Sequence, residues 1–155
     1  MEISSDGIPA NSEIDLRYAE PGVGGTNISP ARAWSGAPEG TRSYAITCFD
    51  PDAPTGSGWW HWVVTDIPLE VTTLAEGAAL PDGARAWVND YGYAGWGGPW
   101  PPPGPAHHYV FTVFAVGVDR LDVPDQATSA VARLTLSFSV LGTAAFTAVF
   151  RNPSS

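Results

Sequence analysis

TCFDPDAPTGSGWWHW, residues 47–62, holds two carboxylates around one proline (Asp50, Pro51, Asp52) and a histidine, His61, set among three tryptophans. How this stretch is parsed decides the fold. The run SYAITCF (43–49) is rich in β-formers and stops abruptly at Asp-Pro, which reads as a buried strand running into a loop. WHWVVTDIP (60–68) is then a second strand, stopped by Pro68.

Further out, YVFTVFAVGV (109–118) is a third strand, and its near-continuous apolar character predicts burial on both faces or in a sandwich core. A short strand is expected around RAWVND (85–90), while 91–106 is a Gly/Pro/aromatic loop too proline-dense for a helix or a central strand. Near the C-terminus two periodicities compete. Val131, Leu134, Phe138 and Leu141 fall on one helical stripe, yet Leu134, Leu136, Phe138 and Val140 alternate as in a strand. With Asp125 and Ser129 available as N-terminal caps and Gly142 as a stop, the expectation is a helix over 127–141, followed by a last strand, AAFTAVF (144–150).

The composition fits this pattern. At 155 residues the chain is expected to form one domain, 1–155, large enough to bury a core. Hydrophobic residues make up 44% and charged residues 15%, with 17 Gly and 15 Pro spread along the chain, as in a loop-rich globular protein with strands joined by turns. The formal charge is −9, no Lys is present and the seven Arg form no run, so nucleic acid and anionic membrane surfaces are repelled. Any anionic ligand must be held by short-range donors. Cys48, the single cysteine, sits in an apolar strand and reads as a buried, inert thiol. The N-terminus lacks the basic and apolar regions of a secretion signal, and no apolar run reaches membrane-span length, so a cytoplasmic location without a membrane span is expected.

His61 opens the second strand, and His107 and His108 open the third. If these strands share a sheet, the DPDAP loop, His61 and His107 meet at one end of it and build a pocket. Paired carboxylates push their pKa values apart, and an imidazole beside them moves protons near neutral pH. Simpler readings stand beside this one. Asp-Pro-Asp-Ala-Pro is also what a tight turn requires, His61 also reads as a satisfied core histidine, and the tryptophans also read as packing alone. His107 and His108 point to opposite faces of a strand, so they are not expected to serve one site together. No metal-ligand spacing, nucleophile elbow or phosphate-cradling loop is present, so no metal and no cofactor are expected.

NISPARAWSGAPEGTRSYAITCFDPDAPTGSGWWHWVVTDIP together with PPPGPAHHYVFTVFAV resembles the phosphatidylethanolamine-binding protein family, most closely its bacterial Raf-kinase-inhibitor-like branch. The resemblance implies a mainly β fold, an antiparallel β-sandwich with a few peripheral helices, and, as in many bacterial members, a homodimer. It further implies a cavity for small anions, walled by Asp50, Trp59, His61, Pro102, His107 and Tyr109. Imidazoles, a phenol and loop amides bind an anion by short hydrogen bonds, which suits a chain without lysine.

The sequence also departs from the family pattern. The usual His-Arg-Tyr is His107-His108-Tyr109, so the arginine that would brace the acidic loop is a titratable ring. Either one of Asp50 and Asp52 then has a raised pKa and acts as a base, or His108 is a weaker brace. Trp96 and Trp100 are expected at the cavity mouth, which would suit a larger apolar acid. Three functions follow from this reading. The chain is a small-molecule binding protein for a phosphoryl, carboxylate or similar group. Alternatively, it is an enzyme of specialised metabolism in which Asp50, His61 and His107 act as catalytic acid and base in a cyclisation, isomerisation or dehydration. The last, resting on fold analogy alone, is a kinase or protease inhibitor.

Overall fold

The computed structural model describes residues 1–155. The apolar runs become long strands: β3 (Ser43–Asp50), β4 (Trp59–Pro68), β7 (His107–Val116) and β8 (Val140–Phe150). With the two-residue β6 (Arg85–Ala86) they form an antiparallel sheet of order β6-β4-β3-β7-β8. A smaller antiparallel sheet, β1 (Glu2–Ser4), β2 (Arg32–Ser35) and β5 (Thr73–Leu74), is ordered β1-β2-β5. The mainly β fold, two antiparallel sheets with little helix, is the one expected.

The main core unites Trp34 of the small sheet with Tyr44, Ile46, Cys48, Trp62, Val64, Phe111 and Val113 of the large one. Cys48 is fully buried there, and burial pushes its thiol pKa up, so it is protonated and unreactive. A second, smaller core covers the other face of the large sheet, where Ala45, Val63, Phe114 and Val116 meet Trp87, Leu121 and Leu136. That double burial explains why β7 reads as an unbroken apolar run.

The C-terminal helix is shorter than expected. It spans α1 (Ser129–Leu136), capped by the Thr128 hydroxyl accepting from the Val131 N–H rather than by Asp125 or Ser129. Its buried face is Ser129, Ala132 and Leu136. The stripe that suggested a longer helix is turned to solvent, with Phe138 80% exposed. Beyond Ser137 the strand periodicity prevails and β8 begins at Val140, so Gly142 lies within a strand instead of ending a helix. No helix is long and apolar enough to cross a membrane.

Candidate functional site

Antiparallel pairing brings the site together. The end of β3 lies beside the starts of both its neighbours, with Asp50 opposite Trp59 and Phe49 opposite Val110. A β-bulge sharpens this arrangement. Phe49 faces Trp60 and Cys48 faces Trp62, so His61 is the extra residue between the two pairs. There His61 packs edge-on against Tyr109 of β7, ring centres 5.1 Å apart.

The resulting cavity, about 270 Å³, is lined by Asp50, Trp59, His61, Pro102, His107 and Tyr109, the six residues expected in its wall. Ala53, Pro54 and Thr55 of the acidic loop, together with Tyr91, Trp100 and Pro101, complete the lining.

Asp50, only 3% exposed, uses both carboxylate oxygens. Oδ1 accepts from the Asp52 N–H at 2.8 Å, the side-chain bond of a tight turn. Oδ2 lies 2.7 Å from Nδ1 of His107. A carboxylate accepts, so Nδ1 carries the proton and Nε2 is the ring's remaining nitrogen. His61 is fixed in the same way: its Nδ1 donates to the Gly97 carbonyl at 2.6 Å. Burial lowers the His61 pKa to about 4, so at neutral pH the ring is uncharged and its Nε2 is an acceptor.

Two wall residues have donors with no partner inside the chain. The Tyr109 hydroxyl and the Trp59 indole Nε1–H are both buried and unbonded. Burial, followed by the nearby Asp50 charge, drives the Tyr109 pKa upward, so the phenol keeps its proton.

Asp52 and His108 lie outside the lining. The His108 backbone N–H and its Nδ1 each lie 2.7 Å from Oδ2 of Asp52, and these bonds hold the Asp52 carboxyl below its ordinary pKa. His108 is therefore the brace of the acidic loop, and Asp52 is not a raised-pKa base. His107 and His108 do face opposite ways, one buried and one exposed.

Trp96 is corrected. It is 7% exposed, packs on Trp62 and Phe111, and donates Nε1–H to the Tyr18 carbonyl at 3.0 Å. That bond places it in the core beneath the site and away from the mouth. Trp100, 51% exposed, is the aromatic residue at the opening, stacked with Tyr91.

Tyr91 escaped the sequence reading. It bonds the Gly98 carbonyl at 2.8 Å and packs edge-on against Trp59 and His61. The only sequence signal was an aromatic residue in a Gly/Pro loop. That loop packs against Tyr18 and Ala19 because glycine permits close approach: a Cβ on Gly98 would stand 1.9 Å from the Tyr18 carbonyl oxygen. Gly98→Ala is expected to lower stability by about 1–3 kcal/mol in urea unfolding; an unchanged midpoint would show that the loop is not held so tightly.

No group of three or more His, Cys, Asp or Glu side chains is gathered to hold a metal ion.

Comparison with known proteins gives a consistent result. The chain is 41% identical to the UPF0098 protein YbhB of Escherichia coli strain K12, over 97% of this chain and 99% of that protein. It is 42% identical to the E. coli UPF0098 protein YbcL. The crystal structure of YbcL, described as a new member of the mammalian PEBP family, superposes with a TM-score of 0.92 over 97% of both chains. A phosphatidylethanolamine-binding protein homologue of Chlamydia trachomatis, 26% identical, superposes at 0.84 over 97% of this chain and 96% of its own. The family model for phosphatidylethanolamine-binding protein matches residues 4–151, and with that match the chain belongs to the phosphatidylethanolamine-binding protein family.

Proposed function

We propose that this is a cytoplasmic small-molecule binding protein whose cavity holds the phosphoryl or similar anionic head of a metabolite without turning it over. The observation that carries the reading is the pair of orphaned donors in the wall, the Tyr109 hydroxyl and the Trp59 Nε1–H. A buried donor left unpaired costs about 1–3 kcal/mol, which an incoming acceptor oxygen recovers. His61 adds the complementary element, a neutral ring with an acceptor nitrogen. Several acceptor oxygens and one hydroxyl satisfy that set. A singly protonated phosphate monoester has both, whereas a carboxylate has acceptors alone. Trp59, Tyr91 and Trp100 leave apolar wall for a short organic substituent.

Tyr109→Phe removes one donor and keeps the ring. Calorimetric titration with phenyl phosphate is expected to show affinity reduced about 10-fold or more, the effect of about 1.5–3 kcal/mol for a bond to a charged group. The melting temperature should hold or rise, since an unpaired buried hydroxyl is lost. Equal affinity in the two proteins would remove Tyr109 from the site.

The enzymatic reading is favoured by one observation, the Asp50 carboxylate aligned on Nδ1 of His107, an arrangement that orients a general base. Under that reading His107 transfers the proton, Asp50 fixes its tautomer, and Asp50→Asn abolishes turnover of a bound substrate while leaving its binding intact.

A further inference from the structure

Arg32 carries its charge into the interior with no carboxylate within ion-pair distance. It opens β2, is 2% exposed, and lies over Phe111 at 4.1 Å, with the rings of Trp62 and Phe146 each 5.8 Å away. Its Nη1 donates to the Ala31 carbonyl at 2.8 Å, while Nη2 is buried without a protein partner. Burial lowers its pKa only to about 10, so it is charged at neutral pH. Cation–π contact attracts the guanidinium to ring faces. It does not satisfy the in-plane N–H donors, and buried charges are ordinarily paired.

Arg32 borders a cavity of about 530 Å³ whose wall also includes Asp6, Gly7, Arg17, Thr73 and Glu76. This cavity shares no lining residue with the one around Tyr109. Arg17 is already committed, to Glu76 at 3.2 Å and Asp15 at 3.5 Å, and Glu76 also accepts from the Tyr18 hydroxyl. Arg32 is therefore the uncommitted cation of the wall, and the exposed Asp6 is its uncommitted carboxylate. A second orphan stands nearby. Ser4 pairs with Ala33, so Ser5 and Arg32 are each one step beyond that pair, and the Ser5 hydroxyl is also buried without a partner.

We infer that this second cavity binds a small monocarboxylate, seated on the in-plane donors of Arg32. The planar guanidinium fork matches a carboxylate, which is the chemistry that recognises such a ligand. Asp6 and Glu76 on the same wall select against anions of higher charge, because repulsion grows with each added charge.

The test follows the Arg32 side-chain Nε–Hε resonance of nitrogen-labelled protein during titration with sodium formate. A saturating shift is expected, retained in Tyr109→Phe because the two cavities are separate. In the Tyr109→Phe background, formate should also raise the melting temperature, and adding Arg32→Leu should abolish that rise. No shift, or a linear shift without saturation, would overturn the inference by leaving Arg32 to its aromatic rings and water. Loss of the shift in Tyr109→Phe, or a formate response that survives Arg32→Leu, would overturn it by assigning formate to another place. The resonance is read on the unaltered chain, so the inference is testable even where Arg32→Leu folds poorly.

Discussion

Asp66→Ala is expected to destabilise the protein by about 3–5 kcal/mol in urea unfolding, the cost of removing one partner of a buried ion pair. Asp66 is 6% exposed and lies at the far end of β4 from His61. Its Oδ1 accepts from the Leu121 N–H at 2.8 Å, and its Oδ2 accepts from the Thr65 hydroxyl at 3.1 Å and from Nε of Arg85 at 2.5 Å. Arg85 in turn holds the carbonyls of Leu121 and Val123, so one carboxylate ties β4, β6 and the following loop together. A second bulge makes this possible. Two residues of β4, Thr65 and Asp66, stand opposite Ala45 of β3, and Asp66 takes a φ of 60°. Alanine would leave the guanidinium with only the exposed Asp125 carboxylate, 3.7 Å from its Nη1, and would tolerate that backbone poorly. A loss below about 1 kcal/mol would show that the network contributes no more than an exposed pair.

Acid should destabilise the fold through His61, by about 3 kcal/mol between pH 7 and pH 4. Folding lowers its pKa from the ordinary value of 6.5 to about 4, because burial disfavours the charged ring. Above pH 6.5 the ring is neutral in both states and imposes no penalty. As pH falls from there the unfolded chain takes up the proton first, and the penalty grows until the folded ring also titrates near pH 4. Asp52, whose carboxyl is held low by His108, loses its contribution only at lower pH still. His61→Asn preserves a donor towards the Gly97 carbonyl and removes the titration. Over this range the wild type should therefore lose about 3 kcal/mol more than the variant, measured by urea midpoints at each pH. Parallel losses would mean that His61 is not the group responsible.

Much of the site was legible because its chemistry is carried by strand ends. Apolar runs located β3, β4 and β7, and the Asp-Pro stop located the loop, so His61, His107 and Asp50 converge once the strands pair. The bulge that sets His61 beside Tyr109 is a property of cross-strand register, and nothing in WWHW announces it. Trp96 and Trp100 illustrate the same limit. They are alike in residue type and loop, yet one is buried by a bond to Tyr18, 78 residues away in sequence, and the other is open to solvent. At the C-terminus both periodicities were real, divided at Ser137 between α1 and β8, and the buried helical face was Ala132 and Leu136 instead of the more hydrophobic stripe beside it. Arg32 reads in sequence as an ordinary strand residue. Only packing of the small sheet over Phe111 reveals its uncompensated charge.

The most direct test of the central claim is phosphorus NMR of phenyl phosphate titrated with the protein across pH. Free phosphate monoesters lose their second proton near pH ~6. With Tyr109 and Trp59 donating and neutral His61 accepting, the bound group should keep that proton to higher pH and should saturate at one ligand per chain. A bound dianion, or no saturable binding, would contradict the account.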